Sequence, residues 1–231
     1  MLLALTLLGC APEAPSSDPQ PAEPTDTGAP PGPFGFPIPE RDRIYTRIGV
    51  DHDPVVQTGL LASLLCADYL GRPFPNCYDE HDGSDFMLDG SFEAMDAGSP
   101  DIVAAADGVV VEAHDGEYDR CHAEVTAVSC DGNSGVANYV IVQHSDGWRT
   151  KYWHMQKDSV AVAVGAAVRC GDVLGRIGSS GNSSAPHLHF EVEDPDLVVV
   201  DPYAGPRSQP TSYWADQGVT DALPEPGCTA R

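Results

Sequence analysis

SSAPHLHFEVED, residues 183–194, carries two histidines separated by one leucine. In a β-strand, side chains two apart share a face. His187 and His189 then look one way, while Leu188 and Phe190 look the other. Two imidazoles on one face, backed by apolar packing, suit a metal site. Two histidines on the wet face of an edge strand would read the same way, so the rest of the chain has to decide.

The neighbouring runs are short and β-like. IVAAADGVVVEA (102–113), VANYVIVQH (136–144) and WRTKYWHM (148–155) are rich in Val, Ala and aromatics and are broken by Asp-Gly turns. Asp146-Gly147 predicts a hairpin between the second and third runs. VAVGAAVRCGDVLGRIGSSGNSS (162–184) places glycines at short intervals between apolar residues, which predicts tight corners in a small barrel-like sheet. Earlier, DPVVQTGLLASLLCADYLGRP (53–73) predicts a helix. Asp53 is its N-cap, Pro54 lies in its first turn, Leu60, Leu61, Leu64 and Leu65 form its buried face, and Gly71 and Pro73 end it. The expected fold is mainly β, an antiparallel sheet with a short helical N-terminal elaboration.

Composition bounds the function. Twelve basic residues against thirty-five acidic ones leave a formal net charge of −23, which repels nucleic acid and anionic lipid surfaces. MLLALTLLGC (1–10) ends in Leu-Leu-Gly-Cys and resembles the end of a bacterial lipoprotein signal peptide, with Cys10 as the lipidated residue. No Lys or Arg precedes the apolar run, a departure from the usual n-region. Residues 11–40 hold ten prolines, five acids and no base, which predicts a disordered spacer. In polyproline geometry it would reach on the order of 90 Å. The only expected membrane contact is therefore a lipid anchor. Six cysteines remain, an even set that reads as disulfides in an oxidising envelope compartment. Proximity pairs Cys66 with Cys77, Cys121 with Cys130, and Cys170 with Cys228. The folded domain is expected over 41–205, with a C-terminal tail over 206–231.

A catalytic zinc commonly has three protein ligands and an open position. HDGSD (81–85) sets His81 and Asp85 four apart, on one face in either a helix or a strand, with Gly83 permitting close backbone approach. KYWHM (151–155) ends a strand on His154. HDGSD, then aromatic-aromatic-His, then GSSGNSSAPHLHFEV, in that order from about residue 81 to Tyr203, resembles the LytM/lysostaphin-type zinc peptidoglycan endopeptidases. VAAADGVVV and VGAAVRCGDVLGRIG stand in the expected places between.

That resemblance implies a zinc ion held by His81, Asp85 and His189, with His154 and His187 as non-ligand catalytic histidines. It implies hydrolysis of peptide bonds in peptidoglycan cross-links, with stem peptides as the partner, in a bacterial envelope. The alternatives are a regulatory or binding module for other wall hydrolases and a zinc peptidase acting on proteins. One departure from the pattern is FMLDGSFEAMDAGSPD (86–101), longer than the family's connection, which is expected to rim the cleft. It also offers a second alignment, with Phe92 and Asp96 at the motif positions. Asn182 and Ser184 are the candidates beside the ligands. His52, His114, His122 and His144 lack partner spacing and are expected to take no part.

Overall fold

The computed structural model describes residues 33–58, 64–125 and 127–228. In chain order the strands are β1 (Ile44–Ile48), β2 (Ser84–Leu88), β3 (Asp101–Val103), β4 (Gly108–His114), β5 (His122–Ala123), β6 (Val128–Ser129), β7 (Tyr139–Gln143), β8 (Arg149–Trp153), β9 (Ala167–Val168), β10 (Val173–Arg176) and β11 (His187–Glu193). One α-helix, α1 (Ser91–Gly98), lies between β2 and β3. Seven strands form one antiparallel sheet in the order β1-β2-β11-β8-β7-β4-β9, and β3/β10 and β5/β6 make two small ribbons. The Ser145–Gly147 turn joins β7 to β8, and Gly147 adopts φ +87° there, as the Asp-Gly signal predicts.

Alternation along the strands decides what each face does. Phe86 and Leu88 of β2, Leu188, Phe190 and Val192 of β11, Tyr152 of β8 and Val140 and Val142 of β7 all point into one core. The opposite face of β2 and β11 carries Asp85, His187 and His189. β11 lies between β2 and β8, and each of its seven residues is buried. The edge-strand reading of His187 and His189 is thereby removed: both faces of this strand are covered.

Two boundaries differ from the sequence expectation. Phe34, Phe36 and Ile38 are buried, so the packed structure begins upstream of Arg41, inside the expected spacer. Apolar residues at 34, 36 and 38 alternate as a half-buried extended segment does, and Phe36 meets Phe86 edge to face at 4.8 Å. Downstream, Trp214 is buried and stacks on Phe190, centroids 5.5 Å apart, with Tyr213 and Leu223 packed against the core, so the expected tail is anchored to the domain.

The expected helix over 53–73 is absent from residues 53–58 and 64–73, while Leu60 and Leu61 lie outside the described residues. Leu65 is 51% exposed. Side-chain oxygens compete successfully for the backbone here. Asp53 accepts from Val55 N–H, Asp51 from the N–H groups of Asp53, Ala67 and Glu80, and Asp68 from those of Leu70 and Arg72. The Cys66–Cys77 disulfide closes this segment. The other two disulfides, Cys121–Cys130 and Cys170–Cys228, are also those that proximity predicts. Among the described residues no helix is long and apolar enough to cross a membrane.

Because Phe36 is part of the core, Phe36→Ala should lower unfolding stability by about 3–5 kcal/mol in urea melts. A loss under about 0.5 kcal/mol, the usual range for surface changes, would place the segment outside the cooperative core.

Candidate metal centre

The register between β2 and β11 builds the centre. His189 stands opposite Asp85, and His187 opposite Met87. His189 Nδ1 lies 2.7 Å from Asp85 Oδ1 and 3.2 Å from His81 Nε2, and His81 Nε2 lies 3.1 Å from the same carboxylate oxygen. His81, Asp85 and His189 are all buried, and each offers one ligand atom to a common point. Gly83 makes the approach possible, because a Cβ there would stand 2.6 Å from His189 Cε1 and Nε2.

The far side of each imidazole is already committed. His81 Nδ1–H donates to the Gly49 carbonyl at 2.7 Å, which leaves the Nε2 lone pair turned towards Asp85. His189 Nε2–H donates to Glu191 Oε1 at 3.1 Å, which leaves Nδ1 turned the same way. Glu191 is held in turn by Lys151 Nζ at 2.9 Å, and Lys151 also reaches Glu193 at 2.7 Å. This is the arrangement of metal-binding histidines whose second nitrogen is anchored to a carbonyl or carboxylate. Asp82, His189 and Glu191 also come within reach of one another, but around the opposite nitrogen of His189, and Asp82 is exposed. The Lys151 ion pair and the His189 hydrogen bond account for Glu191.

Two further histidines adjoin the cluster. His154 and His187 have ring centroids 4.7 Å apart, and His187 Nε2 lies 3.5 Å from Asp85 Oδ1. His154 Nδ1–H donates to Ser180 O, and His187 Nδ1–H to Ala185 O, each at 2.7 Å. Ser183 Oγ stands 3.2 Å from His187 Nδ1. His154 sits at φ +65°, a left-handed conformation costly for a residue with a Cβ. It turns the chain at the end of β8 and keeps the ring beside His187.

The electrostatics follow from burial and crowding. Burial works to raise the Asp85 carboxyl, but the neighbouring imidazoles of His81, His187 and His189 outweigh it and hold it well below the usual range. Burial would lower His189, yet its bonds to Asp82, Asp85 and Glu191 prevail and lift it well above the ordinary value. His154 is pushed well below its ordinary value by burial and then by its neighbours His187 and His189. It is therefore neutral at neutral pH.

All five residues expected from sequence, His81, Asp85, His154, His187 and His189, come together. The candidates Asn182 and Ser184 do not join them: both side chains are exposed, and the Ser184 carbonyl instead accepts from Ala123 N–H. Phe92 and Asp96 lie on α1, where Asp96 pairs with Arg120 at 2.6 Å, so the second alignment is excluded. The stretch 86–98 completes β2 and forms α1. His52, His114 and His122 partner Asp201, Glu117 and the Arg120 carbonyl, and His144 is buried between Asp107 O and Thr150.

Two contributors were missed. Glu191 belongs to the same two-residue alternation as His187 and His189, which could have found it. Tyr78 stacks on His81, centroids 4.0 Å apart at 24°, and no spacing signal marks it. Burial first, then the charges of Asp85 and Asp82, raise its hydroxyl pKa, so it stays protonated.

The family model described as "Peptidase family M23" matches residues 80–202, just over half of the chain. The chain belongs to peptidase family M23. Among curated relatives it is 31% identical over 112 residues to the peptidoglycan DD-endopeptidase ShyA of Vibrio cholerae, covering 48% of this chain and 20% of that protein. It is 30% identical over 143 residues to the DD-carboxypeptidase/endopeptidase Mpg of Neisseria meningitidis, covering 62% and 26%. The chain thus spans about a quarter or less of the length of these relatives. Among solved structures, a zinc-containing peptidase from Vibrio cholerae aligns with a TM-score of 0.44 at 22% identity, over 73% of this chain and 39% of that one.

The Gly83 contact yields a direct test. Gly83→Ala must displace His189, and divalent-metal affinity should fall roughly 10–100-fold, the range for disturbing a ligand's support. Competition with a chromophoric chelator measures it, and an unchanged affinity would show that His189 does not hold the metal.

Proposed function

We propose that this chain is a zinc-dependent endopeptidase that hydrolyses peptide bonds in peptidoglycan cross-links. The observation that carries the reading is the grouping of His81, Asp85 and His189 beside two histidines whose Nδ1–H groups are tied to backbone carbonyls. Two imidazole nitrogens and one carboxylate oxygen fit zinc, whose catalytic sites commonly use three such ligands. His81 would ligate through Nε2, His189 through Nδ1 and Asp85 through Oδ1. When bound, zinc would polarise a scissile carbonyl and acidify water.

The protein's own groups supply the rest. With Nδ1–H fixed on Ala185 O, His187 has Nε2 free, and that atom faces Asp85 and the cluster. It can take a proton from the attacking water and return it to the leaving amine. His154, neutral and likewise anchored, keeps Nε2 as its second proton-exchanging atom and can donate to a developing oxyanion. Gly49, Glu191 and Lys151 hold the ligands in orientation, and burial excludes bulk water from His81 and Asp85. Peptidoglycan is favoured as substrate by family membership and by the named activities of the relatives. Three disulfides agree with an exported, envelope location. In the same reading Cys10 carries a lipid anchor.

Digestion of isolated sacculi by the purified protein, with and without a zinc chelator, tests the proposal. New muropeptides bearing a freed amine and carboxyl, absent with chelator, are expected; intact sacculi from zinc-loaded protein would overturn it. His187→Ala should retain zinc and lose roughly 10²–10⁴-fold in turnover, the scale of a lost general acid–base, whereas His81→Ala should lose zinc itself. Equal zinc contents in the two variants would contradict these assignments.

A further inference from the structure

We infer that two of the disulfides divide the centre between them. Cys66–Cys77 holds the ligand half, and Cys121–Cys130 holds the half carrying the non-ligand histidines. The inference rests on the hydrolytic reading above and adds positioning elements to it.

The ligand half hangs on the segment that Cys66–Cys77 closes. Gly49, whose carbonyl anchors His81 Nδ1–H, donates its own N–H to Asn76 O at 2.7 Å, one residue before Cys77. Ala67, one residue after Cys66, donates to Asp51 Oδ1 at 3.0 Å, and Asp51 N–H donates to His81 O at 2.8 Å. Tyr78, one residue after Cys77, lies flat on the His81 ring, and its carbonyl accepts from His81 N–H. Both ends of the disulfide are thus one or two hydrogen bonds from the same ligand.

The other half hangs on the stretch 179–185 between β10 and β11. This stretch provides Ser180 O to His154, and Ala185 O and Ser183 Oγ to His187. The β5/β6 ribbon closed by Cys121–Cys130 grips it repeatedly. Cys121 N–H donates to Ser179 O at 2.8 Å, and Ser179 Oγ donates back to Cys121 O at 2.6 Å. Ala123 N–H reaches Ser184 O at 2.9 Å, and Cys130 Sγ lies 3.4 Å from Gly181 O. Ser179 Oγ then meets Ser183 Oγ at 2.8 Å, so a continuous chain runs from Cys121 O through two serines to the His187 ring.

Cys170–Cys228 lies elsewhere, with its sulfurs beside the carbonyls of Ala104 and Ala105, and serves as the control.

The experiment makes each disulfide a pair of alanines in the full chain. Zinc affinity is read by chelator competition, and kcat and KM are read on a cross-linked muropeptide dimer. Cys66→Ala with Cys77→Ala should weaken zinc roughly 10–100-fold while leaving kcat at saturating zinc unchanged. Cys121→Ala with Cys130→Ala should leave zinc affinity and KM unchanged and lower kcat on the order of 10–100-fold, as misplacement of reacting groups does. Cys170→Ala with Cys228→Ala should lower the melting temperature alone. Identical profiles from the first two variants, or the reverse assignment, would overturn the inference.

Should either pair fail to fold, Asp51→Ala and Ser179→Ala interrupt the same two hydrogen-bond routes and are held to the same outcomes. Ring-carbon NMR of the histidines separates this inference from the hydrolytic reading. Even if the wild type cleaves no muropeptide, loss of Cys121–Cys130 should shift the His154 and His187 signals and spare those of His81 and His189. Signals moved in all four rings would sink it.

Discussion

Everything at the centre depends on the register between β2 and β11. Pairing His189 with Asp85 sets a nitrogen and a carboxylate oxygen 2.7 Å apart before any ion is considered. A slip of one residue would turn His187, His189 and Asp85 into the core and expel Phe86, Leu188 and Phe190 to the other face. The apolar side of the sheet therefore enforces the polar side. Burial of Phe86, Leu188, Phe190 and Val192, each about 1.5–3 kcal/mol when fully buried, is far larger than any preference of the histidines for one another. The energy that aligns Asp85, His187 and His189 comes from the face that contains none of them.

Much of this was legible because strands write their faces with a period of two. HLHFEV assigns its histidines to one side and its apolar residues to the other, and the structure follows it. HDGSD was legible for a different reason: the glycine between His81 and Asp85 is required by the His189 ring, and glycine is visible in a sequence. Proximity of the cysteines found all three disulfides because each closes a local segment or returns one chain end to a nearby turn. What could not be read is the support of the imidazoles. Gly49, Ser180 and Ala185 act through backbone carbonyls, and a carbonyl looks the same at every position of a sequence. Glu191 could have been read from the alternation; Tyr78 could not, since it reaches His81 through a turn.

The failed helix shows local chemistry overriding pattern. Leucines at 60, 61, 64 and 65 suggest a helical face, but Asp51 and Asp68 take the N–H groups of Ala67, Leu70 and Arg72, which a helix running to residue 73 would need for itself. Residues 65–78 fold as loops around the Cys66–Cys77 bridge and hold Gly49 against His81. The opposite error occurred at 33–40, where proline-rich composition concealed Phe34, Phe36 and Ile38. Composition averages over a window, while burial is decided side chain by side chain.

The arrangement of the two chain ends has a mechanical consequence. Phe34 hydrogen bonds through its backbone to Tyr213 and Ala215, and Gly35 lies against Cys228, which is bonded to Cys170. A pull applied upstream of Pro33 would meet the backbone bonds of Phe34 and the Cys170–Cys228 cross-link first and, through Phe36 and Trp214, the core faces of β2 and β11.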